Sequence, residues 1–322
     1  MKPLDVLIVG CGPIGIACGL EAQKNGLDYL IIEKGCLVNS IYNYPVQMRF
    51  FSSSDLLEID QIPFISKEVK PNRDEALEYY RRIVSSNNLH VNLFEGVTQV
   101  EKTADVFEVI TTKDVYFARK VIIATGFYDI PNKIGVKGES LPKVAHYYKD
   151  PHFYAHQNVA VIGASNSAVD AALECYRKGA RVTMIVRGDS IGRRVKYWVK
   201  PDIENRISEG SIKAYFNSEV AEITENFIRI QTPDGSVTLD NDYVLALTGY
   251  EPNFEFLESI GIQLSEDDSR KPFYNEETME TNLPGLYLAG VICGGMETHK
   301  WFIENSRIHA KQIVNHIKSK PS

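Results

Sequence analysis

The sequence is poor in features that mark several classes of protein. It has five cysteines among 322 residues, an odd number without regular spacing. A small secreted domain held by disulfides needs a paired framework of cysteines, so that class is excluded and we expect a cytoplasmic protein. The chain also has no C-x-x-C pair, so its local sequence offers no dithiol relay.

Long hydrophobic runs are scarce as well. The apolar stretch at residues 6–20 is interrupted by four glycines and a proline. A membrane-spanning helix needs about 20 predominantly apolar residues. The stretch therefore predicts neither a membrane span nor a targeting segment.

Basic charge is limited too. The 42 acidic residues outnumber the 35 lysines and arginines, and the net charge is -7. Nucleic-acid binding depends on clustered basic side chains, so we expect no nucleic-acid partner. His146, His152 and His156 lie close together in sequence but without paired cysteine or carboxylate ligand spacing, and we expect no metal site.

The sequence does contain one strand-helix-strand pattern twice. An apolar run at 4–9 ends at glycines, a helix is predicted at 14–25, and a second buried strand follows at 29–32. The same order returns with strands at 159–162 and 181–186 around a helix at 167–178. Each copy predicts a dinucleotide site at the carboxyl edge of its sheet.

The fold class predicted from this repeat is α/β, with two Rossmann-like, three-layer nucleotide-binding domains. The first domain is expected to be discontinuous, at 1–126 and 250–322, and the second to cover 127–249. Further strands are predicted around short turns and in the tail, and a closing helix is predicted at 302–318. These additional strands are expected at 107–111, 115–117, 120–124, 227–230, 236–239, 243–247 and 285–289.

The first glycine loop has the pattern G-x-G-x-x-G at Gly10, Gly12 and Gly15. The first glycine allows a tight turn, the second lets backbone approach a pyrophosphate, and the third lets helix and strand pack closely. Glu33, at the end of the next strand, is placed to accept hydrogen bonds from ribose hydroxyls. The loop and Glu33 together therefore predict a dinucleotide site, in which the loop binds the pyrophosphate and Glu33 binds the adenosine ribose.

The second loop is a variant of the same pattern and is followed by a basic residue instead of an acid. Arg187 stands at the end of the next strand, where a guanidinium favours a 2'-phosphate, so NADPH is predicted over NADH. Arg193, Arg194 and Lys196 are alternative phosphate contacts. The NADPH-binding residues expected are Gly163, Ala164, Ser165, Asn166, Ser167, Ala168, Arg187, Arg193 and Gly249.

Two cysteines are candidates for catalysis. Cys11 lies in the first glycine loop near a helix N-terminus, a setting that lowers a thiol pKa. The alternative interpretation is that Cys11 is a small filler of the loop. Cys293 follows Gly290 in the tail and could meet substrate if the tail packs over a flavin. Cys18, Cys36 and Cys175 are interpreted as structural fillers.

Longer strings in the chain resemble the pyridine nucleotide-disulfide oxidoreductases, within them the low-molecular-weight thioredoxin-reductase-like branch, and within that branch the bacillithiol-disulfide reductase family. The strings are SIYNYP (40–45), FFSSSDLLEI (50–59), TTKDVY (111–116), ATGFY (124–128), NSAVDAALE (166–174), TNLPGLYLAG (281–290), AGVICGG (289–295) and FIEN (302–305). The resemblance implies two Rossmann-like domains, FAD and NADPH as cofactors, and reduction of bacillithiol disulfide.

The resemblance also implies a set of FAD-binding residues. They are Gly10, Gly12, Pro13, Ile14, Gly15, Glu33, Lys34, Ser40, Tyr42, Val97, Ala124, Thr125, Gly126, Gly290 and Val291. Two of them depart from the family pattern: Val291 stands where an acidic residue is common, and Ile14 where members often carry a cysteine proposed to be catalytic. Either Cys11 replaces that cysteine, or the flavin reduces the disulfide directly, or the substrate differs.

The function expected is therefore FAD-dependent reduction of a small disulfide by NADPH. A flavin-dependent monooxygenase and a redox-sensing flavoprotein without turnover are the alternatives. The partner expected is the small-molecule disulfide, and the chain is expected to form a homo-oligomer.

Overall fold

The computed structural model describes residues 2–320, and the strand-helix-strand pattern occurs twice in it. The chain divides into two compact units. Unit 1 contains the residues up to Asn43, Met48–Ile130, and the residues from Tyr250 onward. Unit 2 contains Tyr44–Gln47 and Pro131–Gly249.

The sheet of unit 1 is built around its first strand. β1 (Leu4–Val9) lies between β2 (Tyr29–Ile32) and β6 (Val115–Ile123) and is parallel to both. The side chains of Val6, Leu7 and Ile8 in β1 are fully buried. Strands buried on both faces consist of near-continuous apolar residues, which is why this run lacks alternation. The strand order is β3-β2-β1-β6-β5-β4, with β17 also paired to β6. The strands are β1 (Leu4–Val9), β2 (Tyr29–Ile32), β3 (Val91–Asn92), β4 (Val97–Thr103), β5 (Val106–Thr111), β6 (Val115–Ile123) and β17 (Leu286–Leu288).

The helices of unit 1 cover this sheet. The first helix packs closely because its inner residues are small: a Cβ on Gly19 would lie 2.6 Å from the Ile31 Cδ1 atom. The helices are α1 (Pro13–Lys24), α2 (Asn39–Tyr42), α3 (Arg73–Ser86), α6 (Phe254–Ser259), α7 (Ile303–Ser306) and α8 (His309–Ser319). Short 3-10 turns occur at Asp55–Leu57 and Val291–Gly294.

Two predicted strands of unit 1 are one strand. The sequence predicted separate strands at 115–117 and 120–124, whereas β6 runs without a break from Val115 to Ile123. Its first half is an antiparallel partner of β5, and its second half is a parallel partner of β1. Burial alternates along the first part of β6 and is continuous at its end. This change in pattern was predicted to separate two strands, and that prediction is wrong.

The predicted closing helix is divided in two. α7 ends at Ser306 and α8 begins at His309. Arg307 and Ile308 between them have backbone angles close to those of a 3-10 turn. The Arg307 guanidinium donates to the backbone carbonyls of Asp55 and Glu58, so it lies against another loop of unit 1.

Unit 2 contains a parallel sheet and a small antiparallel sheet. The strands are β8 (Val144–Ala145), β9 (Asn158–Ile162), β10 (Arg181–Ile185), β11 (Lys213–Tyr215), β12 (Glu219–Ile223), β13 (Phe227–Thr232), β14 (Gly235–Asp240) and β15 (Tyr243–Ala246). The parallel sheet has the order β11-β10-β9-β15-β8, and the antiparallel sheet has the order β12-β13-β14. The helices are α4 (Asn166–Arg177) and α5 (Lys200–Ser208), with a 3-10 turn at Pro151–Tyr154.

Two short strands lie where the chain passes between the units, β7 (Ile130–Pro131) and β16 (Tyr250–Glu251). The residues at 44–47 also belong to unit 2, where the Val46 N–H donates to the Lys149 carbonyl at 2.9 Å.

Candidate functional site

The first glycine loop makes a tight turn between β1 and α1. Gly10 has φ of +104°, a conformation that only glycine adopts without strain, and a Cβ on it would lie 2.6 Å from the Ala124 carbonyl oxygen. A Cβ on Gly15 would collide with the Gly10 carbonyl oxygen. A Cβ on Gly12, by contrast, would meet no atom within 4 Å. The loop is therefore packed at Gly10 and Gly15 and open at Gly12.

The N-terminus of α1 begins at this open point. Gly12 is the N-cap residue, Pro13 is in the first turn, and no side chain caps the helix. Uncapped N–H groups at a helix N-terminus, together with the helix dipole, make a favourable site for a phosphate. The geometry fits the pyrophosphate of a dinucleotide.

Glu33 joins the loop to the end of β2. Its Oε2 accepts the Cys11 N–H at 2.8 Å and its Oε1 accepts the Gly35 N–H at 2.9 Å. The side chain is only 7% exposed, and burial raises its pKa although the two backbone N–H groups oppose this. Each carboxylate oxygen has a further lone pair, so Glu33 can still accept from a ribose hydroxyl.

Thr125, just after β6, carries the clearest sign of a bound group. Its Oγ1 is buried and has no hydrogen-bond partner among residues 2–320. Buried hydroxyls are nearly always hydrogen-bonded, and an unsatisfied one calls for a partner. The open face at Gly12, the free N-terminus of α1 and this hydroxyl together fit a dinucleotide such as FAD.

Other predicted FAD residues lie around the same loop. The Val38 N–H donates to the Cys11 carbonyl at 3.2 Å, which places Ser40 and Tyr42 of α2 just beyond the loop. Lys34 forms an ion pair with Asp129 at 2.7 Å. Val97 is the first residue of β4 and follows Gly96, whose position lies against the Lys34 side chain.

The tail residues Gly290 and Val291 reach the loop as well. A Cβ on Gly290 would lie 3.3 Å from the Ile14 Cβ and Cγ1 atoms. Val291 Cγ2 lies near Gly126, where an added Cβ would be 3.9 Å away. Ile14 is 7% exposed, so its side chain is covered on this side by the tail.

His309, the first residue of α8, is a site residue that the sequence reading missed. Its Nδ1 accepts the Gly290 N–H at 3.1 Å. The ring is 1% exposed, and burial lowers its pKa to about 4, so it is a neutral acceptor near neutral pH. No motif surrounds this histidine in the sequence, and only the fold brings it to Gly290.

The thiols are poorly placed for attack. The lowered pKa expected for Cys11 is wrong: the side chain is fully buried, and burial, reinforced by Glu33, raises its pKa. Cys293 is also fully buried with a raised pKa, and its Sγ lies 4.0 Å from His309 Nδ1. Burial raises the pKa of the other three thiols too, namely Cys18, Cys36 and Cys175.

The second glycine loop has the same backbone design in unit 2. Gly163 has φ of +129°, and a Cβ on it would lie 2.6 Å from the Leu247 carbonyl oxygen and 3.2 Å from Ala168 Cβ. Ser165 is the N-cap of α4 but forms no side-chain capping bond. The N-terminus of this helix is therefore also free to receive a phosphate. Gly249 accepts the Asn132 N–H at 3.0 Å, at the end of the same unit.

Three arginines lie near this loop with no internal partner. Arg187, Arg193 and Arg194 are exposed, and their guanidinium groups form no hydrogen bond or ion pair with any residue in 2–320. Lys196 differs from them, because its Nζ is paired with Asp170 Oδ2 at 2.7 Å and its side chain is largely buried. Of the four basic residues considered from sequence, Lys196 is thus engaged within the protein.

No helix in residues 2–320 is long and apolar enough to cross a membrane. Within the same residues, no group of three or more histidine, cysteine, aspartate or glutamate side chains could hold a metal ion.

One protein family matches most of this chain. The family of pyridine nucleotide-disulphide oxidoreductases matches residues 7–290. The chain belongs to this family. The α/β fold with two nucleotide-binding domains, predicted from the repeated pattern, is confirmed, and so is the use of FAD and NAD(P)H.

Three relatives cover nearly the whole of this pyridine nucleotide-disulphide oxidoreductase. Bacilliredoxin reductase Bdr of Bacillus subtilis is 46% identical over 97% of this chain and 96% of its own. The structure of bacillithiol disulfide reductase Bdr from Bacillus cereus is 43% identical, with a TM-score of 0.97 over 99% of this chain and 100% of its own. That from Staphylococcus aureus is 44% identical, with a TM-score of 0.97 over 100% of both chains. The predicted resemblance to the bacillithiol-disulfide reductases is confirmed, and the protein is a flavin-dependent disulfide reductase.

Proposed function

We propose that the protein reduces the disulfide of a low-molecular-weight thiol with electrons from NADPH, and that bacillithiol disulfide is this substrate. The observation that carries the proposal is the match in fold and sequence to two proteins named bacillithiol disulfide reductase, over almost the full length of each chain. The overall reaction is balanced as NADPH, one proton and one disulfide giving NADP+ and two thiols.

We assign FAD to unit 1 and NADPH to unit 2. In unit 1, Gly10, Gly12, Gly15, Glu33 and Thr125 would hold FAD. When bound, FAD supplies the acceptor for the nicotinamide hydride and passes the electron pair to the disulfide. The chain supplies the phosphate sites at two helix N-termini and, through the buried Ile14 and Gly290, an apolar wall that excludes water from this part of the loop.

The preference for NADPH over NADH rests on the unpartnered arginines. Arg187, Arg193 and Arg194 offer guanidinium donors to the 2'-phosphate that distinguishes the two nucleotides. Arg187→Ala should raise the KM for NADPH and leave the KM for NADH nearly unchanged. An unchanged ratio of the two KM values would show that Arg187 does not recognise the phosphate.

We further propose that no cysteine of the chain takes part in the disulfide reduction. A thiol attacks as its thiolate, and a buried thiol with a raised pKa is seldom ionised near neutral pH. Cys11 and Cys293 are both fully buried and both have raised pKa values. This accords with the isoleucine at position 14, where relatives of the bacillithiol-disulfide reductase family often carry a cysteine.

A protein disulfide is the second candidate substrate. The observation that favours it is the name of the Bacillus subtilis relative, a bacilliredoxin reductase at 46% identity. In this case bacilliredoxin would receive the electrons, and bacillithiol disulfide would be a poor substrate by itself.

A stopped-flow experiment tests both candidates. The FAD-loaded enzyme is reduced with one equivalent of NADPH without oxygen and then mixed with one of four solutions: bacillithiol disulfide, oxidised bacilliredoxin, oxygenated buffer, or cystine as control. We expect reoxidation of the flavin by bacillithiol disulfide at a rate that increases with its concentration. Reoxidation by bacilliredoxin alone would select the second candidate, and reduced flavin that reacts only with oxygen would support a monooxygenase. Slow flavin reduction without any dependence on acceptor would indicate a redox sensor.

We also propose a cytoplasmic homo-oligomer that binds neither nucleic acid nor membrane. The acidic net charge disfavours nucleic-acid binding, and the unpaired cysteines fit a reducing cytoplasm. Light scattering of the purified, FAD-loaded protein measures the oligomeric state, and a monomer at all concentrations would contradict this part of the proposal.

A further inference from the structure

The side chain of Asn166 joins the second glycine loop to the segment that carries two of the free arginines, which we name the basic loop (residues 188–196). Asn166 is the first residue of α4. Its Nδ2 donates to the Arg194 carbonyl at 3.2 Å, and its Oδ1 accepts the Lys196 N–H at 2.9 Å. One amide therefore holds the backbone on both sides of Val195.

The basic loop has two more attachments to the same helix end. The Gly192 N–H donates to the Ala164 carbonyl at 2.9 Å, and a Cβ on Gly192 would lie only 2.8 Å from that oxygen. Lys196 Nζ is paired with Asp170 at 2.7 Å. The backbone of the loop is thus fixed next to the N-terminus of α4, the place where a dinucleotide phosphate is expected to bind.

The arginine side chains of this fixed loop are free. Arg193 and Arg194 are exposed, and their guanidinium groups form no hydrogen bond or ion pair with any residue of the described part of the chain. A guanidinium recognises a phosphate with two parallel hydrogen bonds, which depend on its orientation. A fixed backbone lowers the entropy lost when such groups are ordered by a ligand.

We propose that Asn166 is a positioning residue for the choice of dinucleotide. By holding the backbone at 194–196, it presents Arg193 and Arg194 to the 2'-phosphate of NADPH. Asn166 acts on this phosphate through the arginines. The inference rests on the proposed preference for NADPH and names the residue that enforces it.

The test compares two ligands on the FAD-loaded, full-length protein by isothermal titration calorimetry. Asn166→Ala should weaken the binding of NADP+ about tenfold and that of NAD+ less than about twofold, because only NADP+ has the 2'-phosphate. Equal weakening of both ligands, or no weakening of either, would overturn the inference. If Asn166→Ala does not fold, Asn166→Ser, which is too short to bridge Arg194 and Lys196, is expected to shift the preference in the same direction.

A double-mutant cycle separates positioning from direct contact. In a protein that already carries Arg193→Ala and Arg194→Ala, Asn166→Ala should change NADP+ binding less than about twofold, because the groups it positions are gone. A full tenfold effect in that background would show that Asn166 contacts the nucleotide by itself, and the positioning role would be rejected.

Asn158 provides a matched control in the same unit. It is partly buried like Asn166, donates to Asp242 Oδ2 at 3.0 Å and accepts the Arg181 Nε–H at 2.7 Å, but it begins β9 at the amino edge of the sheet. Asn158→Ala should lower the melting temperature without changing the ratio of NADP+ to NAD+ affinity. If Asn158→Ala shifted that ratio as much as Asn166→Ala, the effect of Asn166→Ala would be explained by general destabilisation of unit 2, and the positioning role would be rejected.

The same titrations distinguish the two proposals. A wild-type protein that binds NAD+ as well as NADP+ would refute the NADPH preference itself. A wild-type protein that prefers NADP+, together with an Asn166→Ala variant that keeps this preference, would refute only the role of Asn166.

Discussion

His309 Nδ1 accepts the backbone N–H of Gly290 at 3.1 Å, so one imidazole fixes the start of the turn that follows β17. Burial lowers the pKa of His309 to about 4 in the folded protein, whereas an unfolded histidine titrates near 6.5. Between these values the unfolded chain binds the additional proton. His309 therefore contributes fully to stability above about pH 6.5, and this contribution is lost as the pH falls toward 4, by about 3 kcal/mol at most.

His309→Asn tests this linkage, because an amide oxygen can replace Nδ1 as acceptor and does not titrate. Urea unfolding at several pH values between 4.5 and 7 should show that wild-type stability falls more steeply with decreasing pH than that of the variant. Parallel curves for the two proteins would contradict the lowered pKa of His309.

Gly12 and Gly15 should respond differently to alanine. At Gly12 an added Cβ meets open space, so Gly12→Ala should leave the melting temperature of the FAD-free protein nearly unchanged while weakening FAD binding. At Gly15 the Cβ would collide with the Gly10 carbonyl, so Gly15→Ala should lower that melting temperature markedly. Thermal melts and FAD titrations of both variants measure this, and equal melting temperatures would show that the close helix packing at Gly15 is not required.

Thr125→Val should have opposite effects on the FAD-free and FAD-bound protein. It removes a buried hydroxyl that has no partner among residues 2–320, which should stabilise the FAD-free protein by about 1 kcal/mol. If the hydroxyl bonds to FAD, the same change should weaken FAD binding. Urea unfolding and FAD titration provide the two values. A variant that binds FAD as tightly as the wild type would leave Thr125 without a role in the cofactor site.

Cysteine variants test the absence of a catalytic thiol. Cys11→Ala and Cys293→Ala should each keep the rate of disulfide reduction within about threefold of wild type, since both thiols are buried and protonated near neutral pH. The FAD content is measured alongside, so that loss of cofactor is not mistaken for loss of chemistry. A decrease of a hundredfold or more in the FAD-loaded Cys11 variant would restore Cys11 as the reacting thiol.

The parts of the site that depend on local backbone could be predicted from sequence. Gly10 and Gly163 have positive φ at the two turns where the glycine pattern requires it, and Glu33 closes on the first of them. These roles follow from the order strand, loop, helix, and in each unit all of these elements lie within about 30 residues of sequence.

The parts of the site that depend on burial could not be predicted from the sequence. A helix N-terminus favours a thiolate by about 0.3–1 kcal/mol, whereas full burial can shift a pKa by several units. The sequence shows the helix near Cys11 and not the depth of the loop, so the predicted direction of its pKa was wrong. The contact of His309 with Gly290 was missed for the same reason, because it joins two elements that only tertiary packing brings together.

The four residues at 44–47 have a consequence for synthesis of the protein. They are made about a hundred residues before Lys149, to which Val46 bonds, and β17 and α8 of unit 1 are made after the whole of unit 2. Neither a fragment ending at 130 nor a fragment covering 131–249 contains a whole unit. On the ribosome, unit 2 is therefore complete once Gly249 has emerged, whereas unit 1 stays incomplete until β17 and α8 follow, so a chain truncated at 249 would contain a whole unit 2 beside an incomplete unit 1.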